Sequence, residues 1–270
     1  MLINNFLTFL IGCCFGSFIN VLIYRLPIKE SILFPRSHCR KCNYKLNWYD
    51  NIPILSWIIL KGKCRNCKEK ISSSYPIIET TTGLLFLFNN YSMSSRFFIE
   101  SQGIETICGW VFISLLLTMS ILDIKYLWLP DSVSKVGILF AICLSIISEL
   151  RYLNISSYLL ITETILAAFL GYLFFQFISL IGLKIYKKPA MGKGDAKLAA
   201  LIGSWLGFKG LFISIWLAFN FGGLFSIIGL ITRKLKKDQK IPFGSFLSLS
   251  GLFVWYFGNQ NLINLIFIGK

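Results

Sequence analysis

Residues 6–24 read FLTFLIGCCFGSFINVLIY, an apolar run with no charged side chain that is followed at once by Arg25. The run is close to the ~20 residues that a helix needs to cross the hydrocarbon core of a bilayer. A secretory signal peptide carries Lys or Arg before its apolar segment, and residues 1–5 contain neither. The sequence therefore predicts a retained membrane helix, and the basic residue after it predicts an N-terminus outside the cytoplasm.

The composition of the whole chain also indicates a membrane protein. Apolar and aromatic residues make up 55% of the 270 residues, and charged residues only 14%, whereas a soluble domain carries about 25% charge. This excludes an ordinary soluble enzyme, a disordered chain and a disulfide-rich secreted module. A net charge of +15 would suggest nucleic acid in a soluble protein. Here it indicates cytoplasmic loops instead, and we expect no nucleic-acid partner.

Further apolar stretches predict an all-α polytopic membrane protein with about eight transmembrane helices. After the first run they are residues 77–95, 104–122, 133–150, 158–183, 196–208, 210–231 and 242–257. With the N-terminus outside, this count places the loops 25–76, 184–195 and 232–241 in the cytoplasm. These loops contain most of the Lys and Arg residues, as the positive-inside rule requires.

Four cysteines in the polar insert between the first two predicted helices form two C-x-x-C pairs. They are Cys39 with Cys42 and Cys64 with Cys67. Two such pairs suit a structural Zn²⁺ bound by four thiolates, and a reducing cytoplasm argues against the alternative of disulfides. The insert can build little apolar core, so the metal would supply much of its folding free energy. The single histidine, His38, is interpreted as a solvated loop residue.

Two acidic residues border apolar runs at the same predicted depth. Asp123 ends one span and Asp195 begins another, both at the cytoplasmic boundary. Acidic residues in membrane segments are costly and by default indicate function. Two carboxylates that meet can share a proton and act as base toward water and acid toward a scissile carbonyl, which is aspartic-protease chemistry. The two roles belong to the pair and are not assigned to either residue.

Residues beside the two aspartates have functional and structural interpretations. Gly192 and Gly194 could let the backbone approach a substrate closely, or they could form a flexible loop before a helix capped by Asp195. Lys197 could tune Asp195 or face lipid phosphates. Asp131 could cap the next helix or take part in catalysis. We treat these four residues as candidate active-site support.

Several motifs, in the same order, resemble the type IV prepilin peptidases, which are bifunctional leader peptidases and N-methyltransferases. The matching segments are residues 16–27 (GSFINVLIYRLP), the double C-x-x-C insert, residues 50–53 (DNIP), residues 72–79 (SSSYPIIE), Asp123 with residues 129–131 (LPD), and residues 192–198 (GKGDAKL). The resemblance covers most of the chain. It also implies the bacterial cytoplasmic (inner) membrane as the location, with the active site at its cytoplasmic face.

The resemblance implies a substrate and two reactions. Such enzymes cleave the basic leader of prepilins and pseudopilins after a glycine, then methylate the new N-terminal residue, usually Phe, with S-adenosylmethionine. It implies that Asp123 and Asp195 are the catalytic pair and that the four cysteines bind Zn²⁺. Gly16 and Glu79 become candidates for the methyltransferase site. The strongly basic insert would lie against anionic membrane lipid.

Taken together, these expectations divide the chain into three parts. They are a first transmembrane helix (1–24), a cytoplasmic zinc-binding insert (25–76) and a transmembrane aspartic peptidase core (77–270). Other interpretations stay open. A zinc-dependent hydrolase would need an open site with His or carboxylate ligands. A non-enzymatic transporter or membrane anchor would use the acidic residues as ion ligands. A peptidase without methyltransferase activity would leave an unmethylated product.

Overall fold

The computed structural model describes residues 2–90, 102–151, 158–187, 191–236 and 239–265. Within these residues the secondary structure is helical, with isolated bridges in place of strands. The helices are α1 (Leu2–Arg25), α2 (Leu55–Ile59), α3 (Ser74–Asn89), α4 (Gln102–Tyr126), α5 (Asp131–Arg151), α6 (Tyr158–Tyr186), α7 (Lys193–Ile231), α8 (Phe243–Phe257) and α9 (Asn259–Ile263), with a 3₁₀ turn at Trp48–Asn51.

Five segments are long and apolar enough to cross a bilayer. They are Asn5–Arg25, Glu105–Tyr126, Asp131–Leu150, Leu159–Ile185 and Lys193–Ile231. The expectation of an all-α, multi-pass membrane protein is therefore confirmed for the described residues. Helices α3 and α8 have 16 and 15 residues, less than the ~20 of a perpendicular span. The count of eight spans stays a prediction, and residues 91–95 of the predicted second span lie outside the described residues.

Helix α7 is interrupted at Gly207, where φ is 69° and ψ is −173°. Residues other than glycine rarely adopt this backbone conformation. The backbone N–H of Phe208 donates to Glu163 Oε1 at 3.3 Å, so a carboxylate satisfies a donor at the break. The sequence predicts separate helices at 196–208 and 210–231, and the boundary between them lies within two residues of this interruption.

The chain forms two compact units. One comprises Met1–Tyr91 with Gly109–Ser114, and the other comprises Ser92–Cys108 with Leu115–Lys270. The division at residues 24 and 76 expected from the sequence stays a prediction.

In the first unit, α1 packs directly against the backbone of α3. A Cβ at Gly12 would lie 2.7 Å from Gly83 Cα, and one at Gly16 would lie 2.6 Å from Glu79 Cα. Glycines four residues apart on one helix face allow this close approach, as in other small-residue contacts between membrane helices. The candidate methyltransferase residues Gly16 and Glu79 are thus in direct contact across two helices.

The second unit is built around the N-terminal half of α7. Trp205 is fully buried, and its indole Nε1 donates to the carbonyl oxygen of Gly137 in α5 at 3.0 Å. Its ring stacks on Phe140, with the centroids 5.8 Å apart. A Cβ at Gly137 would lie 2.6 Å from Leu201 Cδ1. This packing holds α5 against the N-terminal half of α7, and the first turns of both helices contribute residues to the candidate site.

Candidate active site

Asp123 lies near the C-terminal end of α4 and is only 6% exposed. Its Oδ2 accepts a hydrogen bond from the backbone N–H of Ser245 at 2.9 Å. Ser245 is in the first turn of α8, whose N-terminal N–H groups have no partners within their own helix. The positive end of the α8 dipole therefore holds the Asp123 carboxylate in place.

Gly244 and Ser245 contact the carboxylate of Asp123, and the sequence analysis did not single them out. A Cβ at Gly244 would lie 3.0 Å from Asp123 Oδ2 and 2.9 Å from Leu129 Cδ1. Only glycine therefore lets the start of α8 come this close to the carboxylate. The signal available in the sequence was the segment 242–245 (PFGS) at the start of an apolar run, since proline and serine there are typical of a helix N-terminus.

Asp195 is the third residue of α7 and is 8% exposed. Its Oδ2 accepts the backbone N–H of Gly192 at 3.1 Å, which is the reciprocal half of a capping box. A Cβ at Gly194 would lie 2.9 Å from Leu129 Cβ. The local structure therefore explains why glycine occupies both positions. Gly192 is the N-cap residue, and Gly194 gives room to the side chain of Leu129.

The structure brings the two aspartates together at the ends of three helices. Leu129 contacts the starts of both α7 and α8, and Asp195 interacts electrostatically with Asp123. Two buried carboxylates, each held by a backbone N–H, can share a proton and take complementary acid and base roles. The structure therefore places the two aspartates within electrostatic reach of each other, and their pairing in catalysis stays a prediction.

Asp131 and Lys197 form an ion pair with each other beside this site. Lys197 Nζ donates to Asp131 Oδ1, and Asp131 is also the first residue of α5. The side chain of Asp131 is 56% exposed. The structure thus places Asp131 at a helix start, and it gives Lys197 a partner other than the buried aspartates.

The four predicted metal ligands come together in the first unit. Their Sγ atoms all lie within 4.8 Å of one another, with Cys39 and Cys67 at 3.7 Å and Cys42 and Cys64 at 4.0 Å. Tetrahedral zinc with Zn–S bonds of ~2.3 Å requires sulfurs about 3.8 Å apart. The donor set therefore fits a closed structural zinc site. His38 is not among these ligands, and its Nδ1 lies 3.0 Å from the carbonyl oxygen of Arg36.

The electrostatics of the four thiols also suit a cation. The backbone N–H of Tyr44 lowers the pKa of Cys42 to about 6, and the backbone N–H of Cys67 lowers the pKa of Cys64. The backbone N–H of Glu69 also lowers the pKa of Cys67, but burial and the three neighbouring thiols outweigh it and raise that pKa to about 12. Crowded thiolates repel one another, so a bound cation is what lets all four ionise.

Glu79 is buried in the second turn of α3, although the sequence alone left its role open. It is 6% exposed, and its Oε2 accepts the backbone N–H of Ile54 at 2.7 Å. The carboxylate therefore links α3 to the turn that begins α2. Glu79 also lines a cavity of the first unit.

A multi-pass helical protein with a buried carboxylate pair has the features of a membrane-embedded hydrolase. Comparisons with known proteins narrow this class. Residues 10–93 match the bacterial peptidase A24 N-terminal domain, and residues 110–227 match the type IV leader peptidase family. No solved structure matches the chain.

Several curated relatives are similar over most of the chain. A prepilin leader peptidase/N-methyltransferase of Myxococcus xanthus is 34% identical over 83% of this chain and 62% of its own length. A type 4 prepilin-like proteins leader peptide-processing enzyme of Escherichia coli O78:H11 is 32% identical over 91% of each chain. A Klebsiella pneumoniae prepilin leader peptidase/N-methyltransferase is 35% identical over 75% of this chain and 85% of its own.

The chain belongs to the type IV leader peptidase family. This confirms the resemblance drawn from the sequence motifs, and it confirms the expectation of an enzyme with peptidase activity.

Proposed function

We propose that this chain removes the basic leader of prepilins and pseudopilins after a glycine and then methylates the new N-terminal residue, usually Phe. Both activities are in the names of its relatives from Myxococcus xanthus and Klebsiella pneumoniae. The observation that supports the peptidase is the buried pair of Asp123 and Asp195, which two helix N-termini hold in place. The site works at the cytoplasmic face of the bacterial inner membrane, with the protein's N-terminus outside.

In the cleavage step, one aspartate of the pair removes a proton from a water molecule as the water oxygen bonds to the scissile carbonyl carbon. The other aspartate donates its proton to the carbonyl oxygen. The C–N bond then breaks, the released amine takes up a proton, and the pair returns to its starting protonation. Low exposure of both carboxylates keeps bulk water from competing for these protons.

Four nearby residues support this pair. Gly192 caps α7 and donates its N–H to Asp195, while Gly194 leaves room for Leu129. The ion pair of Asp131 and Lys197 joins the starts of α5 and α7. The geometry favours a positioning role for Asp131 over direct contact with substrate, because more than half of its side chain is exposed.

Structural Zn²⁺ in the cluster of Cys39, Cys42, Cys64 and Cys67 orders the insert. When bound, the ion supplies the cross-link that joins the two C-x-x-C turns. The insert's basic surface lies against anionic lipid, and it binds no nucleic acid.

Methylation uses S-adenosylmethionine, and we assign Gly16 and Glu79 to that site. The chemistry that the donor supplies when bound is a methyl group, with its S–CH₃ bond breaking as an N–CH₃ bond to the new terminal amine forms and the amine loses a proton. Gly16 allows α1 to contact α3 at Glu79. A peptidase that lacks this second activity is the alternative within the same family.

The test is co-expression with a prepilin whose leader ends in Gly-Phe, comparing wild type with Asp123→Asn and Asp195→Asn. We expect wild type to shorten the prepilin and each variant to leave it full length, at equal abundance in the membrane. Glu30→Gln, an acid of the insert rather than of the pair, is the control and should cleave normally. Cleavage by either Asn variant would remove the dyad assignment.

A product heavier by about 14 Da identifies N-methylation, and its absence favours the peptidase-only alternative.

A further inference from the structure

The first unit encloses a cavity that the peptidase mechanism does not use. Its volume is about 550 Å³, and α1, α3 and the cysteine-bearing loops line it. Cavities that hold a drug-sized ligand or cofactor have volumes of about 300–1,000 Å³. The lining includes Phe18, Tyr24, Arg40, Trp57, Tyr75 and Glu79, so aromatic surface and both signs of charge are present together.

The acidic residues of the cavity differ in how their charges are compensated. Asp50 pairs with Arg65 at 2.8 Å, and Glu69 pairs with Lys41. Glu79 receives neutral donors instead, the N–H of Ile54 and the hydroxyl of Ser17. Among the described residues, therefore, it is Glu79 that brings an uncompensated negative charge to the lining. A buried charge of this kind is costly unless an opposite charge joins it.

The surroundings of Glu79 hold its carboxylate in one place. The backbone of Gly16 packs so closely against Glu79 Cα that no side chain would fit at position 16. The N–H of Ile54 donates to one oxygen of the Glu79 carboxylate and fixes it. At the same end of α3, Asn20 Nδ2 donates to the carbonyl oxygen of Tyr75 at 3.2 Å, which ties α1 to the first turn of α3. A charge fixed in this way is pre-organised for a cation.

The remaining polar and aromatic groups suit the other parts of one ligand. The guanidinium of Arg40 lies 3.5 Å from the ring centroid of Tyr24 and donates to the hydroxyl of Tyr75. Arg40 offers a positive charge to a carboxylate. Trp57 and Phe18 offer apolar surface on which a purine ring can pack.

We propose that this cavity is the binding site for S-adenosylmethionine and that Glu79 is the counter-ion of its sulfonium group. The proposal deepens, and rests on, the methyltransferase activity proposed above. A site built around an uncompensated carboxylate selects the cationic donor over its neutral product, S-adenosylhomocysteine. The charge of Glu79 then has two effects, because it attracts the donor and it favours release of the spent product.

The test is equilibrium dialysis of purified full-length protein against S-adenosylmethionine and, separately, S-adenosylhomocysteine. We expect Glu79→Gln to weaken binding of the sulfonium compound by at least about tenfold, because one charge pair is lost, and to change binding of the thioether much less. Glu105→Gln is the control. Glu105 is an acid at the start of the membrane segment Glu105–Tyr126 and does not line the cavity, so both affinities should stay near those of wild type.

Equal weakening for both ligands, or for neither, overturns the counter-ion assignment. Leader cleavage and bound zinc are measured on the same preparations, and both should match wild type if Glu79→Gln is folded.

Failure of this proposal and failure of the proposed function are distinguishable. If wild type methylates a mature pilin but Glu79→Gln binds the donor normally, the cavity assignment alone is wrong. If wild type neither methylates pilin nor binds the donor, the methyltransferase activity itself is wrong.

Discussion

Gly244 is a position at which a single added methyl group should slow catalysis although both carboxylates are kept. We expect Gly244→Ala to lower the rate of leader cleavage by about tenfold or more, since misplacing a catalytic group by about 1 Å can cost a hundredfold. The added Cβ would lie 3.0 Å from Asp123 Oδ2 and 2.9 Å from Leu129 Cδ1, so one of them must move. The measurement is the initial rate of prepilin cleavage by purified enzyme.

Gly223→Ala is the matched control for that experiment. A Cβ at Gly223 meets nothing within 4 Å, and the substitution adds the same methyl group to another helical glycine. Its cleavage rate should equal that of wild type. An unchanged rate in Gly244→Ala as well would mean that the start of α8 does not position Asp123.

At the residue scale, local contacts could be predicted from the sequence and distant ones could not. The capping interaction of Asp195 with Gly192 spans three residues, and a Gly-x-Gly-Asp segment before an apolar run indicates it. The bond between Asp123 and Ser245 spans 122 residues. Nothing in the sequence around Asp123 indicates which helix end supplies its N–H donor, because that partner is set by tertiary packing.

Among the helices, α7 has the clearest local weakness, at Gly207. We expect Gly207→Ala to destabilise the folded protein by about 1–3 kcal/mol, because alanine must adopt a backbone conformation that glycine alone tolerates well. The observed φ of 69° and ψ of −173° lie in that region. The measurement is the thermal unfolding midpoint in detergent, and Gly223→Ala again provides the comparison. An equal midpoint for both variants would contradict the strain argument.

The cysteine loops should depend on their metal as a unit. We expect Cys42→Ser combined with Cys67→Ser to lose bound zinc, measured by elemental analysis of the purified protein, while Cys143→Ser retains it because Cys143 lies outside the cluster. The double variant should also lose affinity for S-adenosylmethionine, since Cys39 and Cys64 line the same cavity as Glu79. If the double variant still binds S-adenosylmethionine after losing zinc, the binding site for the methyl donor does not depend on the zinc site.

At the scale of elements, apolar runs predicted the long helices well and the insert poorly. The run 133–150 corresponds to α5 at Asp131–Arg151, and the run 158–183 to α6 at Tyr158–Tyr186. The insert instead contains α2 and a 3₁₀ turn that no periodic apolar pattern indicates. Its conformation depends on ion pairs such as Asp50 with Arg65 and on the cysteine cluster, which are contacts between residues distant in sequence.

For the whole molecule, the length of α7 indicates how often this helix crosses the membrane. Its 39 residues would extend about 58 Å as one straight helix at 1.5 Å per residue, against a hydrocarbon core of about 30 Å. The break at Gly207 divides it into parts of 14 and 24 residues on either side. Basic residues lie at both ends, with Lys193 before the first part and Arg233 and Lys234 after the second. The positive-inside rule therefore predicts that both ends of α7 lie in the cytoplasm.

Two crossings predict that Lys209, beside the break, faces outside, while Lys236 faces the cytoplasm. We expect a membrane-impermeant maleimide to label Lys209→Cys in intact cells and Lys236→Cys only after permeabilisation, with the native cysteines of wild type setting the background. Both positions are exposed, so access is limited by the membrane rather than by packing. The reverse pattern, or labelling of both in intact cells, would contradict two crossings. Eight spans would then be wrong, because one crossing fewer reverses the side assigned to the loop at 232–241.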